Sequence, residues 1–222
     1  RLLRGHTSYH QNLEEFAAEY YAAEKALYFS SGFQANIALF QALPNRHDII
    51  IFDELVHAST RDGIQNSHAQ KIKVAHNDLN AFEGALKKAQ QNLKADGQIW
   101  MAVESLYSMD GDFAPVEDLH KLAQNYDAIL IVDEAHATGV YGPQGRGLAY
   151  GLGYDNVISV HTCGKAIGVA GALVCGSAAI IDTLVNTGRG FIYSTAPMPL
   201  QALLVQKSLE ILTSEEGQQR RD

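Results

Sequence analysis

Seven short apolar runs, separated by segments of helical periodicity or by glycine-rich loops, constrain the fold more than any other feature of this chain. They lie at 26–29, 48–53, 71–74, 99–103, 128–132, 157–160 and 172–175. Ile49-Ile50-Ile51-Phe52 and Ile129-Leu130-Ile131-Val132 are unbroken apolar rows, the pattern of strands buried on both faces. Helical spacing is expected over 13–21, 32–43 (closed by Pro44), 58–66, 79–93, 116–125, 178–185 and 200–212. The alternation predicts an α/β domain in which helices cover both faces of a mostly parallel central sheet. Ligands of such sheets collect at the carboxyl ends of the strands.

At 222 residues the chain is long enough for one large domain with a substantial core. It starts at Arg1 rather than Met and stops in the polar run from Ser214 to Asp222, so both ends read as cut. The net charge is −8 and Lys and Arg are scattered singly, which argues against nucleic acid and anionic membranes as partners. No apolar run approaches a membrane span. The two cysteines, Cys163 and Cys175, make neither a disulfide framework nor a CxxC pair. A reduced, cytoplasmic enzyme is the expectation.

The chemically loaded residues fall at the predicted strand ends: Ser31-Gly32, Asp53 to His57, Glu104 to Ser108, Asp133 to His136 and Thr162 to Lys165. Ser30-Ser31-Gly32-Phe33 opens a helix, where free N–H groups favour an anion; plain N-capping by a serine is the simpler reading of so common a turn. His57 is placed to stack on a flat ligand or, more simply, to face solvent at a helix start. Asp133 ends an apolar strand, and burying its charge demands a partner. A pyridinium nitrogen, a salt bridge, a helix cap or a metal would each serve. Lys165, set between Gly164 and Gly168, is the only lysine between Lys121 and Lys207. Apolar surroundings lower an amine's pKa towards imine chemistry. An amine, a carboxylate and the His136 imidazole together are what pyridoxal 5'-phosphate (PLP) asks of a protein. Asp133-Glu134-Ala135-His136 also spells a helicase metal box, but a GxxxxGK[ST] loop should then lie upstream, and Gly164-Lys165-Ala166 lies downstream.

These motifs resemble the α-oxoamine synthases, fold type I PLP enzymes. The resemblance runs from Arg1-Leu2-Leu3-Arg4-Gly5 to Tyr193-Ser194-Thr195 and includes Ser31 to Asn36, His57-Ala58-Ser59, His76-Asn77-Asp78, Ser108 to Asp112, Asp133 to Gly139 and Thr162 to Lys165. It implies a three-layer large domain over 1–212, with 213–222 starting the connection to a small domain. An N-terminal segment and that small domain, with the family's carboxylate-binding arginine, would lie outside this stretch. Lys165 is implied to carry PLP and to move the substrate Cα proton, Asp133 to pair with the ring nitrogen, and His136 and Ser108 to bond the phenolic oxygen. His57 would stack on the ring. Ser31, Gly32, Phe33 and Thr162 would surround the phosphate, with Thr195 reaching in from the other subunit of a homodimer; Glu104 is implied only as support. Cys163, where relatives often carry a bulkier apolar residue, reads as packing. The Ala-His-Ala-Thr-Gly run and Tyr193-Ser194-Thr195 most resemble the branch that joins L-alanine to pimeloyl-CoA in biotin biosynthesis. Other members of the family use glycine with acetyl-CoA or serine with palmitoyl-CoA, and one further reading is a non-catalytic partner subunit.

Overall fold

A computed structural model describes residues 1–222. Its seven strands are β1 (Lys25–Phe29), β2 (Ile49–Asp53), β3 (Gln70–Val74), β4 (Ile99–Glu104), β5 (Ala128–Asp133), β6 (Val157–Thr162) and β7 (Ala172–Gly176). They form one sheet in the order β1-β7-β6-β5-β4-β2-β3. β2, β3, β4, β5 and β6 run parallel, while β7 is antiparallel to both of its neighbours. The exception has a local cause. Residues 163–171 between β6 and β7 contain no helix, and a parallel return needs a crossover.

Alternation along each strand sorts the core into layers. Ile50, Trp100, Ala102, Ile131, Ile158 and Val160 face α2 (Gly32–Ala42), α3 (Ala58–Gln65) and α6 (Ala178–Thr187). Ile49, Ile51, Met101, Val103, Leu130 and Val132 face α4 (Leu79–Asn92) and α5 (Val116–Asn125). At the β1–β7 end, Tyr28, Leu173 and Cys175 pack under α1 (Ser8–Tyr21) and α8 (Pro199–Thr213). The expected sandwich of helix, sheet and helix is therefore present.

The differences from expectation are at polar segments. α1 begins at Ser8 rather than Leu13, with Thr7 as N-cap and His10 buried, because residues 8–12 lack apolar periodicity but are held by tertiary contacts. α7 (Arg189–Ile192) and α9 (Glu215–Arg221) were not expected from the pattern. α9 is capped by Ser214 and tied back by Arg221, which donates to the Leu212 carbonyl at 2.9 Å. No helix is long and apolar enough to cross a membrane. Both cysteines are buried and unpaired, and burial pushes the Cys163 thiol up to about 12, in keeping with packing.

Candidate active site

The α2-facing ends of β4, β5 and β6 open into a cavity of about 160 Å³. Its wall includes Lys165, Asp133, His136, Glu104, His57 and Thr162, together with Gly32 and Phe33 from the start of α2. Thr162 reaches this side because it follows Val160 by two residues on β6.

Lys165 sits in the β6–β7 hairpin. Backbone bonds from Cys163 N–H to the Gly171 carbonyl and from Val169 N–H to the Cys163 carbonyl, both 2.8 Å, close the loop. Gly168 N–H donates to the Lys165 carbonyl at 3.0 Å and adopts φ of +75°, which lets the chain turn behind the lysine. Lys165 Nζ lies 2.7 Å from His136 Nε2. Desolvation pulls the Lys165 amine below its ordinary value, against the opposing charges of Asp133 and Glu104. Desolvation and the nearby lysine also lower His136, so the neutral ring accepts from Lys165.

Asp133 is buried at the end of β5. One oxygen accepts from Ala135 N–H at 3.0 Å, and the other from Asn36 Nδ2 at 2.7 Å. Asn36 also donates to Ser59 Oγ at 3.0 Å, while its Oδ1 is buried without a partner. His57 caps α3, its Nδ1 accepting from Ser59 N–H at 3.2 Å and lying 2.7 Å from Ser59 Oγ. His57 is thus an exposed residue at the start of α3 and also part of the cavity wall. Glu104, beside Asp133, is 4 % exposed, and desolvation with the charge of Asp133 raises it to about 8.

Ser31 Oγ accepts from Gln34 N–H at 3.1 Å, so this serine acts as the N-cap of α2. The first-turn N–H groups of Gly32 and Phe33 are left for an anion. A β-carbon on Gly32 would collide with Thr162 Oγ1, so only glycine lets the turn and the hydroxyl come this close. Two expected residues lie elsewhere in the single chain. Ser108 is exposed on the loop beyond β4, and Thr195 lines a separate cleft with Arg1, Ser30 and Gln34. Asn36 and Ser59 had drawn no role from the sequence. A polar residue on the apolar face of α2 was the available signal for Asn36.

The aminotransferase class I and II family profile matches residues 1–222. The chain belongs to that family. Within it, the chain is 44% identical over 223 residues to an 8-amino-7-oxononanoate synthase of Chromobacterium violaceum, covering 100% of this chain and 56% of the relative. A crystal structure of 8-amino-7-oxononanoate synthase from Francisella tularensis matches with a TM-score of 0.82 at 32% identity, over 98% of this chain and 62% of that one. A serine palmitoyltransferase from S. paucimobilis, solved with a bound PLP–myriocin aldimine, matches with a TM-score of 0.91 at 27% identity, over 100% of this chain and 56% of that one. The three-layer architecture is that of fold type I enzymes in this family. The chain spans little more than half the length of the curated relatives it matches.

Proposed function

We propose that the cavity holds PLP and that the whole protein condenses L-alanine with pimeloyl-CoA, giving 8-amino-7-oxononanoate, CoA and CO2. The observation that carries this reading is the 2.7 Å approach of Lys165 Nζ to His136 Nε2 in the cavity that also contains buried Asp133. The site fits the cofactor. Asp133 offers a carboxylate to a ring N–H, Asn36 Oδ1 is an unused acceptor, and Gly32, Phe33 and Thr162 offer donors to a phosphate. Bound PLP supplies an electron-poor ring that takes up the electron pair released when a bond to the amino acid Cα breaks.

The residues divide the remaining work. Asp133 would hold a proton on the ring nitrogen, and His57 would stack on the ring. The Lys165 amine would hold the cofactor, and the free amine would take the alanine Cα proton. Desolvation makes its neutral form accessible at lower pH than a free lysine's. The alanine Cα then bonds to the thioester carbonyl carbon, the carbon–sulfur bond breaks, and CoA leaves. Loss of the alanine carboxylate as CO2 is followed by return of a proton to the same carbon. His136, 2.7 Å from Lys165 Nζ, would bond the phenolic oxygen. Ser108 would add a hydroxyl towards that oxygen, with Ser31 capping the phosphate turn and Glu104 backing Asp133.

We read residues 1–212 as the PLP-binding large domain and 213–222 as the start of a connection to a small domain, in a cytoplasmic homodimer. Thr195 stands in an exposed stretch beside Tyr193, Met198 and Leu200, apolar surface suited to burial by a second copy whose site Thr195 would complete. The S. paucimobilis match favours a second reading, serine with a long acyl-CoA, at lower sequence identity.

The test uses the full-length protein with PLP, crossing alanine, glycine and serine against pimeloyl-, acetyl- and palmitoyl-CoA while CoA release is measured. Release confined to alanine with pimeloyl-CoA is expected. Preference for another pair would replace the substrate assignment. Borohydride reduction should fix a pyridoxyl group on Lys165, and a label on another lysine would refute the site.

A further inference from the structure

A second polar cluster lies farther along the same row of strand ends, outside the cavity wall. His76 and Asn77 lie between β3 and α4, and both reach two neighbouring segments. His76 Nδ1 lies 2.9 Å from Asp53 Oδ1 at the end of β2, and His76 Nε2 lies 2.8 Å from Asp112 Oδ2 in the loop after β4. Asn77 N–H donates to Asp53 Oδ2 at 2.8 Å, while Asn77 Nδ2 donates to Asp112 Oδ2 at 2.7 Å and to the Phe113 carbonyl at 3.2 Å. Asn77 holds a left-handed backbone, φ +51°, to make these contacts at once. The Tyr107 ring meets His76 edge-on, with centroids 4.5 Å apart.

Both imidazole nitrogens face carboxylate oxygens, which only accept. A neutral ring would set a lone pair against Asp112 or Asp53 at under 3 Å. The 3.2 Å approach of Asn77 Nδ2 to His76 Nε2 is therefore two donors sharing one acceptor, Asp112 Oδ2. The anchored segments matter to the cavity. Asp53 also accepts from Leu55 N–H at 2.8 Å, in the turn that leads to His57. Asp112 closes the loop that carries Ser108, whose own bonds run from Tyr107 N–H to the Asp112 carbonyl and from Gly111 N–H to the Tyr107 carbonyl, both 3.0 Å.

We propose that His76 is a positioning residue held as an imidazolium, a charged crosslink that fixes the His57 turn relative to the Ser108 loop. Its catalytic consequence rests on the proposed reading of the cavity; the crosslink does not. The groups facing His76 are Asp53, Asp112, Tyr107 and Glu54, whose Oε1 accepts from His76 N–H at 3.2 Å. Burial works against the charge, yet the two aspartates hold His76 above an ordinary histidine, and Asp112 is lowered in turn. A histidine raised on folding contributes stability below its unfolded value, and loses it as pH rises through the folded one. The crosslink therefore opens on the alkaline side.

The test is made on the full chain without added PLP, by imidazole NMR titration and amide hydrogen exchange. His76 should titrate above an ordinary histidine, Asp112→Asn should lower that midpoint, and His76→Gln should speed exchange at 105–114 by about tenfold, the loss of a charged hydrogen bond. In the loaded enzyme the alkaline limb of kcat should move to lower pH in Asp112→Asn. An ordinary His76 midpoint, or unchanged exchange in His76→Gln, would overturn the crosslink. If His76→Gln does not fold, the Asp112→Asn midpoint and exchange decide alone. A protein with the crosslink signature that never releases CoA would fail the proposed function and leave His76 standing.

Discussion

His161 and Thr162 are adjacent on β6 but enter opposite faces of the sheet, and the two regions treat charge differently. On one face, His161 stacks on Tyr21 with centroids 3.7 Å apart. Its nitrogens meet Thr138 Oγ1 at 2.8 Å and Ser159 Oγ at 2.7 Å, and Ser159 continues to Tyr154 OH at 2.9 Å. Every partner is a hydroxyl, and burial pushes His161 down to about 3. On the other face, Thr162 opens on Lys165, His136, Asp133, Glu104 and His57, five ionisable groups around one cavity. Hydroxyl partners hold a neutral scaffold in a low-dielectric interior; carboxylates and an amine keep the other side responsive to protons. The strand joins the two, so a neutral network supports the loop that carries Lys165.

The charged face is tested most directly at Lys165. Lys165→Ala should cut CoA release by about 10³-fold or more while leaving the urea midpoint nearly unchanged, because the side chain lies at the open edge of the cavity. Retained release would move the reactive amine elsewhere. Asp133→Asn should keep PLP bound but slow solvent exchange of the alanine Cα proton by about 10²-fold. Near-normal exchange would leave Asp133 a structural partner of Asn36 only.

The neutral face is tested by His161→Phe, which keeps an aromatic ring on Tyr21 and strips the Thr138 and Ser159 hydroxyls of their partner. A stability loss of about 1–3 kcal/mol in urea unfolding is expected, with CoA release per folded molecule little changed. A large loss of turnover at full stability would erase the distinction between the faces. An effect confined to the pH dependence of stability is expected at Glu104. Its folded carboxyl is raised to about 8, from 4.5 when unfolded. The unfolded chain therefore ionises first, and stability falls as pH rises between those values. Glu104→Gln should flatten that slope, which a single carboxyl limits to about 1.4 kcal/mol per pH unit. An unchanged slope would show Glu104 already ionised in the folded protein.

Most strands, and most of the helices between them, were legible in the chain because burial on both faces writes nearly unbroken apolar runs at short range. β3, exposed along most of its length, showed only the alternation of Lys71-Ile72-Lys73-Val74. The placement of Asp133, His136 and Lys165 near strand ends was equally local: each follows within about five residues of a run such as Ile129 to Val132 or Val157 to Val160. Tertiary structure decided what depends on distant partners. Asn36 reaches Asp133 across 97 positions of chain, and His76 meets Asp53 and Asp112 from 23 and 36 positions away. The start of α1 at Ser8, the helix α9 and the exposed position of Ser108 likewise follow from contacts that no local pattern encodes. Hydrophobic periodicity is a property of neighbours in sequence, whereas the charge of a buried side chain is set by whichever groups folding brings against it.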